Sequence, residues 1–254
     1  MAGQPLSPQE LRRYARHIVL RAVGGAGQVR LKRSRVLVVG AGGLGSSALM
    51  YLAAAGVGRI EILDHDRVSL SNLQRQVLHA TDRIGEAKVS SAVRRLRALN
   101  PEIDVRPVPK EIHAGNAVTF VQGRDAVLDG CDNFRTRDAV NRACAAERVP
   151  LVSGAIGTWD GSVSVFRPWL GGPCWRCVFP KAVGEGQAPT CSETGVLGAL
   201  PGVVGSLMAT ECLKLLTGAG RLLDGRLLLY DALDAEFRGL AVERRTECPV
   251  CGPT

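Results

Sequence analysis

The chain reads as a doubly wound α/β fold: one mainly parallel, Rossmann-like sheet with helices on both faces, extended at its late end by antiparallel strands. Three observations predict it. Between residues 35 and 154, short apolar runs rich in Val, Ile and Leu alternate with helical patterns, the signature of parallel βαβ units. The first run, RVLVV, leads straight into Gly40, Gly42 and Gly45, a spacing that makes a tight turn and lets a helix start approach a phosphate. After Ser153 the pattern changes to period-two alternation in GSVSVFRP, as in antiparallel strands.

Each element follows from its local chemistry. SPQE near the N-terminus is a capping box, with Ser7 as N-cap, Pro8 at the first helical position and Glu10 reaching back, and it predicts a helix from about Pro8 to Leu20. The strand from Arg35 passes through the glycine turn into the helix GLGSSALMYLAAAG, stopped by Gly56. The strand RIEILDHD follows, then the helix EAKVSSAVRRLRAL, ended by Asn100-Pro101. IDVRPV, DAVLDG and VPLVSG are further strands, with the helix NFRTRDAVNRACAAE between the last two. The turn TWDG leads to the first antiparallel strand, and GRLLLYDAL and EFRGLAVER supply two more. An uncharged stretch from Thr194 to Thr210 contains Pro201 and several glycines; at about 17 residues it falls short of a membrane span and reads as a buried helix with a broken start.

With 254 residues, 46% of them apolar, the chain can bury one large core, and wholesale disorder is excluded. Residues 1–254 are expected to form a single domain of two halves, a nucleotide-binding half over about 30–155 and a second half over about 156–254. The N-terminus lacks the apolar core of a secretory signal, so a cytoplasmic protein without a membrane segment is expected. The net charge of +8 is scattered through VRLKRSR and RRLRALNPEIDVRP, as on an ordinary solvated surface, so nucleic acid is not the first-choice partner.

Eight cysteines in a reducing compartment do not suggest a disulfide framework. Their spacing points elsewhere. CWRC and CPVC place Cys174 with Cys177 and Cys248 with Cys251. Two such pairs supply four soft thiolates for one tetrahedral zinc ion, and a full thiolate shell leaves no position for a catalytic water. The site would be structural, tying the end of the chain to its middle. Cys144 and Cys212 fall in helical patterns as small core residues.

The glycine turn admits NAD, FAD, ATP or no nucleotide. Asp64, at the end of the second strand, fits the acidic group that binds ribose hydroxyls, so NAD stays open. Asn72, Arg75, Lys88 and Asp132 lie in segments that reach the carboxyl ends of strands, where ligands of open α/β sheets bind. Two cations, an amide and a carboxylate suit a triphosphate with a magnesium ion, whereas hydride transfer needs none of them. Asp132 or Asn133 also suits the N-cap of the following helix.

Taken together, GAGGLGS, LDHDRVSLSNLQRQ, GEAKV, LDGCDN, LVSGA, APTCSETGV and the two CxxC pairs resemble the MoeB/ThiF family of bacterial sulfur-carrier adenylyltransferases, relatives of the ubiquitin-activating enzymes, over about residues 7–252. The resemblance implies an enzyme that uses MgATP to adenylate the C-terminal Gly-Gly tail of a small ubiquitin-like sulfur carrier, releasing pyrophosphate, in molybdopterin, thiamine or related sulfur-transfer biosynthesis. It implies that Asp64 holds ribose, that Gly42 with Gly40, Gly43 and Gly45 faces phosphate, and that Asn72, Arg75, Gln76 and Lys88 stabilise the triphosphate. Asp132 would bind magnesium, and Arg16 would reach the site of a second copy, making the enzyme a homodimer. Some relatives link Cys191 covalently to the carrier, whereas others need only the adenylate. At Cys131 the family often has threonine. Longer relatives continue into a rhodanese-like domain, so here sulfur is expected from a separate donor, a sulfurtransferase or a cysteine desulfurase. The alternatives are the same chemistry on a peptide or tRNA base, an NAD-dependent dehydrogenase, and a zinc-stapled scaffold without catalysis.

Overall fold

The computed structural model describes residues 5–180 and 195–252. Its frame is an eight-stranded sheet in the order β3-β2-β1-β4-β5-β6-β7-β8, with β1 at Arg35–Val39, β2 at Arg59–Leu63, β3 at Asp104–Val108, β4 at Ala126–Asp129, β5 at Leu151–Ile156, β6 at Asp160–Phe166, β7 at Arg226–Asp231 and β8 at Glu236–Ala241. The strands from β3 to β5 are parallel; β6, β7 and β8 add on antiparallel. Val36 is paired with Ile60 on one side and Ala126 on the other. In β1, Val36 to Val39 are all buried, because helices cover both faces of a parallel sheet, and this is why the run carries no polar alternation. The chain winds outward from β1 to β3, then returns to β4 beside β1. The connections after β1 and β4 therefore leave in opposite directions and open a crevice at the carboxyl ends of these strands.

One core lies between the sheet and the helices α3 (Gly24–Arg33), α4 (Gly43–Ala55), α5 (Lys88–Leu99) and α9 (Leu200–Thr217); the other lies under α6 (Ala117–Val121), α7 (Phe134–Glu147) and α8 (Trp175–Val178). Helices α4 and α9 cross in close contact. A Cβ on Gly205 would stand 2.3 Å from Leu44 O and 2.1 Å from Ser47 Oγ, so only glycine lets the backbones approach this far. By length and composition α9 could span a membrane, yet Leu200, Val204, Met208 and Cys212 are at most 1% exposed in the protein core. It also runs past Thr210, through Glu211, whose carboxylate is buried and accepts the Leu223 N–H.

The N-terminal capping box forms as expected, but the helix from Pro8 does not continue unbroken to Leu20. It divides at Tyr14 into α1 (Pro8–Arg13) and α2 (Ala15–Ile18). The Tyr14 ring turns into the core against Gly56, and its hydroxyl accepts from Asn100 Nδ2 at 2.8 Å. Seating that ring outweighs one more turn of helical hydrogen bonds. At α7 the N-cap is Asn133, whose Oδ1 accepts the Thr136 N–H at 2.8 Å, which leaves the Asp132 carboxylate to the cavity.

Candidate active site

The glycine turn lies at the switch point. Gly40 adopts φ +94°, and a Cβ on Gly45 would stand 1.9 Å from Gly40 O; the turn folds back on the helix it opens. Gly42 caps α4 with no side-chain acceptor, so the first-turn N–H groups and the positive end of the helix dipole are available to an anion. The peptides on either side of Ala41 are fixed: Asp64 Oδ2 accepts the Ala41 N–H at 2.8 Å, and His79 Nε2 meets the Ala41 carbonyl at 2.9 Å. The second Asp64 oxygen accepts the Asp66 N–H at 2.8 Å.

Above this turn is a cavity of about 350 Å³. Gly40, Gly42, Gly43, Asp64, Arg75, Gln76, Lys88 and Asp132 all line it, so four segments separated in sequence meet there. The Lys88 side chain is only 7% exposed, and its ammonium pairs with Asp66 Oδ2 at 2.8 Å. Burial alone raises the Asp66 carboxyl, but the hydrogen bond and charge of Lys88 outweigh it and hold the acid below its ordinary value. Arg75 donates from Nη1 to the Ser71 carbonyl at 3.2 Å. Gln76 is 4% exposed and its Oε1 has no partner among the described residues, so a buried acceptor in the wall calls for a donor.

Sequence reasoning missed the group that holds the Asp132 loop. Asp129 ends β4 fully buried; its Oδ1 accepts the Cys131 N–H at 3.1 Å, and its Oδ2 pairs with Arg137 Nη1 at 3.3 Å and with Ser153 Oγ at 3.4 Å. Arg137 also donates to the Cys131 carbonyl. The residue before Asp132 is thus held at both its N–H and its C=O. The signal was present: Arg137 falls on the buried stripe of α7 with Val140, Asn141 and Cys144, where a charge needs a partner. The Cys131 thiol is pushed well up by burial and by the Asp129 carboxylate.

The remaining expected residues lie elsewhere. Gly45 sits beneath the turn. Neither Arg16, exposed on α2, nor Asn72, on a 3₁₀ turn at Leu70–Asn72, is among the residues lining the cavity; the Asn72 carbonyl accepts the N–H groups of Arg75 and Gln76. Cys191 lies outside the described residues.

The two CxxC pairs converge. Their four Sγ atoms lie within 4.8 Å of one another, with Cys174 to Cys248 at 3.6 Å and Cys177 to Cys251 at 3.5 Å. A tetrahedral ion with metal–sulfur bonds of about 2.3 Å separates its thiolates by about 3.8 Å, so the donor set suits such an ion. Asn141 Nδ2 donates to Cys174 Sγ and the Arg245 N–H to Cys177 Sγ, the supporting contacts that metal-binding sulfurs usually receive. The Cys248 thiol is drawn down to about 7: burial raises it, but the N–H groups of Cys251 and Val250 outweigh that.

The crossed-over parallel sheet, the uncapped glycine-turned helix and the mixed-charge cavity at the switch point define a nucleotide-binding α/β protein with a thiol-stapled annex. The chain belongs to the ThiF family, whose profile matches residues 14–250. A sulfur carrier protein adenylyltransferase of Thermus thermophilus is 53% identical over 248 residues, covering 96% of this chain and 92% of that protein. The molybdopterin-synthase adenylyltransferase of Escherichia coli is 46% identical over 247 residues, covering 97% and 98%. Among solved structures, E. coli MccB with ATP superposes with a TM-score of 0.79 at 22% identity, over 90% of this chain and 70% of that one, a likeness of fold.

Proposed function

We propose that this protein is an ATP-dependent adenylyltransferase that activates the C-terminal glycine of a small ubiquitin-like sulfur-carrier protein and releases pyrophosphate. The observation that carries the reading is the meeting of Arg75, Lys88 and Asp132 over the glycine turn. The relatives at 53% and 46% identity support the reaction class. A carboxylate that attacks the α-phosphorus of ATP is one anion approaching another. The barrier is lowered by holding the two in line and by fixed positive charge near the oxygens, not by proton transfer.

In this reading Gly42 and Gly43 present N–H groups to phosphate and Asp64 holds ribose. Arg75, Lys88 and Gln76 grip the triphosphate, with Asn72 supporting the turn that carries two of them. Lys88 exchanges or shares its Asp66 partner when ATP enters. Magnesium suits the carboxylate oxygens of Asp132, which lines the cavity, and would neutralise phosphate charge there; zinc suits Cys174, Cys177, Cys248 and Cys251. Arg16 of a second copy completes the site in a homodimer. Residues of about 30–155 bind nucleotide, and those of about 156–254 serve the carrier, the zinc site and the dimer. A separate sulfurtransferase or cysteine desulfurase supplies the sulfur in this reading, and the Cys131 thiol in the cavity, pushed up by burial and by Asp129, has no part in it. Four zinc-binding thiolates fit a reducing compartment, the cytoplasm.

Exchange of labelled pyrophosphate into ATP, measured with and without a candidate Gly-Gly carrier, tests the proposal. Stimulation by the carrier is expected, and Asp132→Ala is expected to abolish exchange without unfolding the chain. Stimulation by a peptide or an RNA alone would overturn the assignment of the acceptor. Undiminished exchange in Asp132→Ala would remove that residue from the site.

A further inference from the structure

The geometry points to His79 as a positioning residue: from outside the cavity it ties the glycine turn to the helix that carries Lys88, and so sets the grip on the triphosphate. The inference rests on reading the cavity as an ATP site. His79 is 7% exposed and does not line the cavity. Its Nε2 lies 2.9 Å from the Ala41 carbonyl and its Nδ1 lies 2.9 Å from Ser91 Oγ. A carbonyl oxygen can only accept, so Nε2 carries the proton. Burial pushes the imidazole below its ordinary 6.5; the ring is neutral at neutral pH, and Nδ1 accepts from the Ser91 hydroxyl.

Both ends of this bridge reach the phosphate grip. In a trans peptide the C=O and the following N–H point in opposite directions. Holding the Ala41 carbonyl against His79 therefore turns the Gly42 N–H the other way, toward the cavity that Gly42 lines. Asp64 restrains the peptide on the other side of Ala41, so the turn cannot relax by flipping. Ser91 stands one turn along α5 from Lys88, and its own carbonyl accepts Arg83 Nη1 at 2.9 Å. His79 thus fixes the distance between an N–H donor and an ammonium that belong to segments far apart in sequence. A histidine that merely filled the core would not need both nitrogens engaged with these two partners.

The test is binding of MgATP by calorimetry to the purified full chain, with adenosine as a competitor that has no phosphates, and with thermal unfolding to establish that each variant is folded. His79→Leu leaves a buried carbonyl without its donor and is expected to weaken ATP binding about ten-fold while leaving adenosine within about two-fold. His79→Gln, whose Nε2–H can still reach Ala41, is expected to recover most of the loss. Ser91→Ala cuts only the tie to α5 and is expected to fold and to weaken ATP less. If His79→Leu does not fold, Ser91→Ala with unchanged ATP affinity overturns the inference. Folded His79→Leu that binds ATP as the parent does, or that loses ATP and adenosine equally, also overturns it. A parent chain that binds no ATP overturns the nucleotide reading and this inference with it.

Discussion

Replacing Arg137 with methionine removes the partner of a carboxylate that has no access to water. The Asp129 side chain is 0% exposed and that of Arg137 10% exposed, at 3.3 Å. The change also deletes the guanidinium's bonds to Ser153 Oγ and to the Cys131 carbonyl. Asp129 keeps the Cys131 N–H and the Ser153 hydroxyl, which do not neutralise it. Breaking one side of a buried pair costs about 3–5 kcal/mol. Against a total stability of about 5–15 kcal/mol, the variant folds with little margin, and its melting temperature is expected to fall by about 6–20 °C. Changing both residues, Asp129→Leu with Arg137→Met, removes the uncompensated charge. The double variant should be less destabilised than the sum of the single ones, by at least about 2 kcal/mol of coupling. Urea unfolding followed by tryptophan fluorescence reads this, since Trp175 is buried against Phe134 of α7 with ring centres 4.8 Å apart. Single variants that each cost less than about 1 kcal/mol, or costs that add within about 0.5 kcal/mol, would refute the assignment of a buried clamp under the Asp132 loop.

Three further outcomes are expected. Gly45→Ala places a methyl group 1.9 Å from Gly40 O; nucleotide binding should be lost and stability should fall by at least about 1–3 kcal/mol, read by calorimetry and by the urea midpoint. Metal analysis should find about one zinc per chain, and Cys248→Ser or a strong chelator should release it and lower the melting temperature; a stable, metal-free parent chain would defeat the four-thiolate site. For Glu10, burial raises the carboxyl, but the Lys32 ammonium at 2.7 Å and the Ser7 N–H bring it below its ordinary 4.5. Its contribution is therefore complete above about pH 4.5 and is lost as pH falls through the lower folded value. Glu10→Gln should be less stable than the parent at pH 7 and converge with it in acid; a constant gap across that range would count against the pairing.

The strands were legible because residues 36–39 of β1 and 126–128 of β4 are buried on both faces and so must be apolar. The four-cysteine cluster was legible because a two-residue spacer makes each cysteine pair a potential chelate wherever the chain brings it. What failed to show had specific causes. Helix α3 begins at Gly24 with Gly25 and Gly27 close behind, so local propensity argues against it, and burial of Gln28 and Leu31 decides. The division at Tyr14 depends on Asn100 and Gly56, partners remote in sequence. Asp129 looked like the polar end of an apolar strand until the fold placed Arg137 beside it. Asp66 was passed over beside Asp64, although it holds the Lys88 ammonium. His79 sits in a stretch without helical or strand period, where no pattern marks a side chain as internal.

The glycine turn by itself could not separate a dinucleotide from a triphosphate, since both place a phosphate at the start of α4. Asp64 does not separate them either: one of its oxygens accepts the Ala41 N–H, which stabilises the turn whatever ligand lies above. The separation comes from the segments that arrive after β2 and β4. A hydride-transfer site has no use for a buried lysine paired with an acid, Asp66, that is more than half exposed, because that pairing leaves the ammonium able to trade one anion for another. Nor does it need a carboxylate kept out of the helix cap by Asn133 and set on a loop clamped from below by Asp129 and Arg137. A phosphate chain needs the first, and its counter-ion needs the second. The fold's switch point puts both Lys88 and Asp132 within one cavity, with His79 holding the Ala41 carbonyl on the glycine turn and Arg137 holding the Cys131 carbonyl next to Asp132.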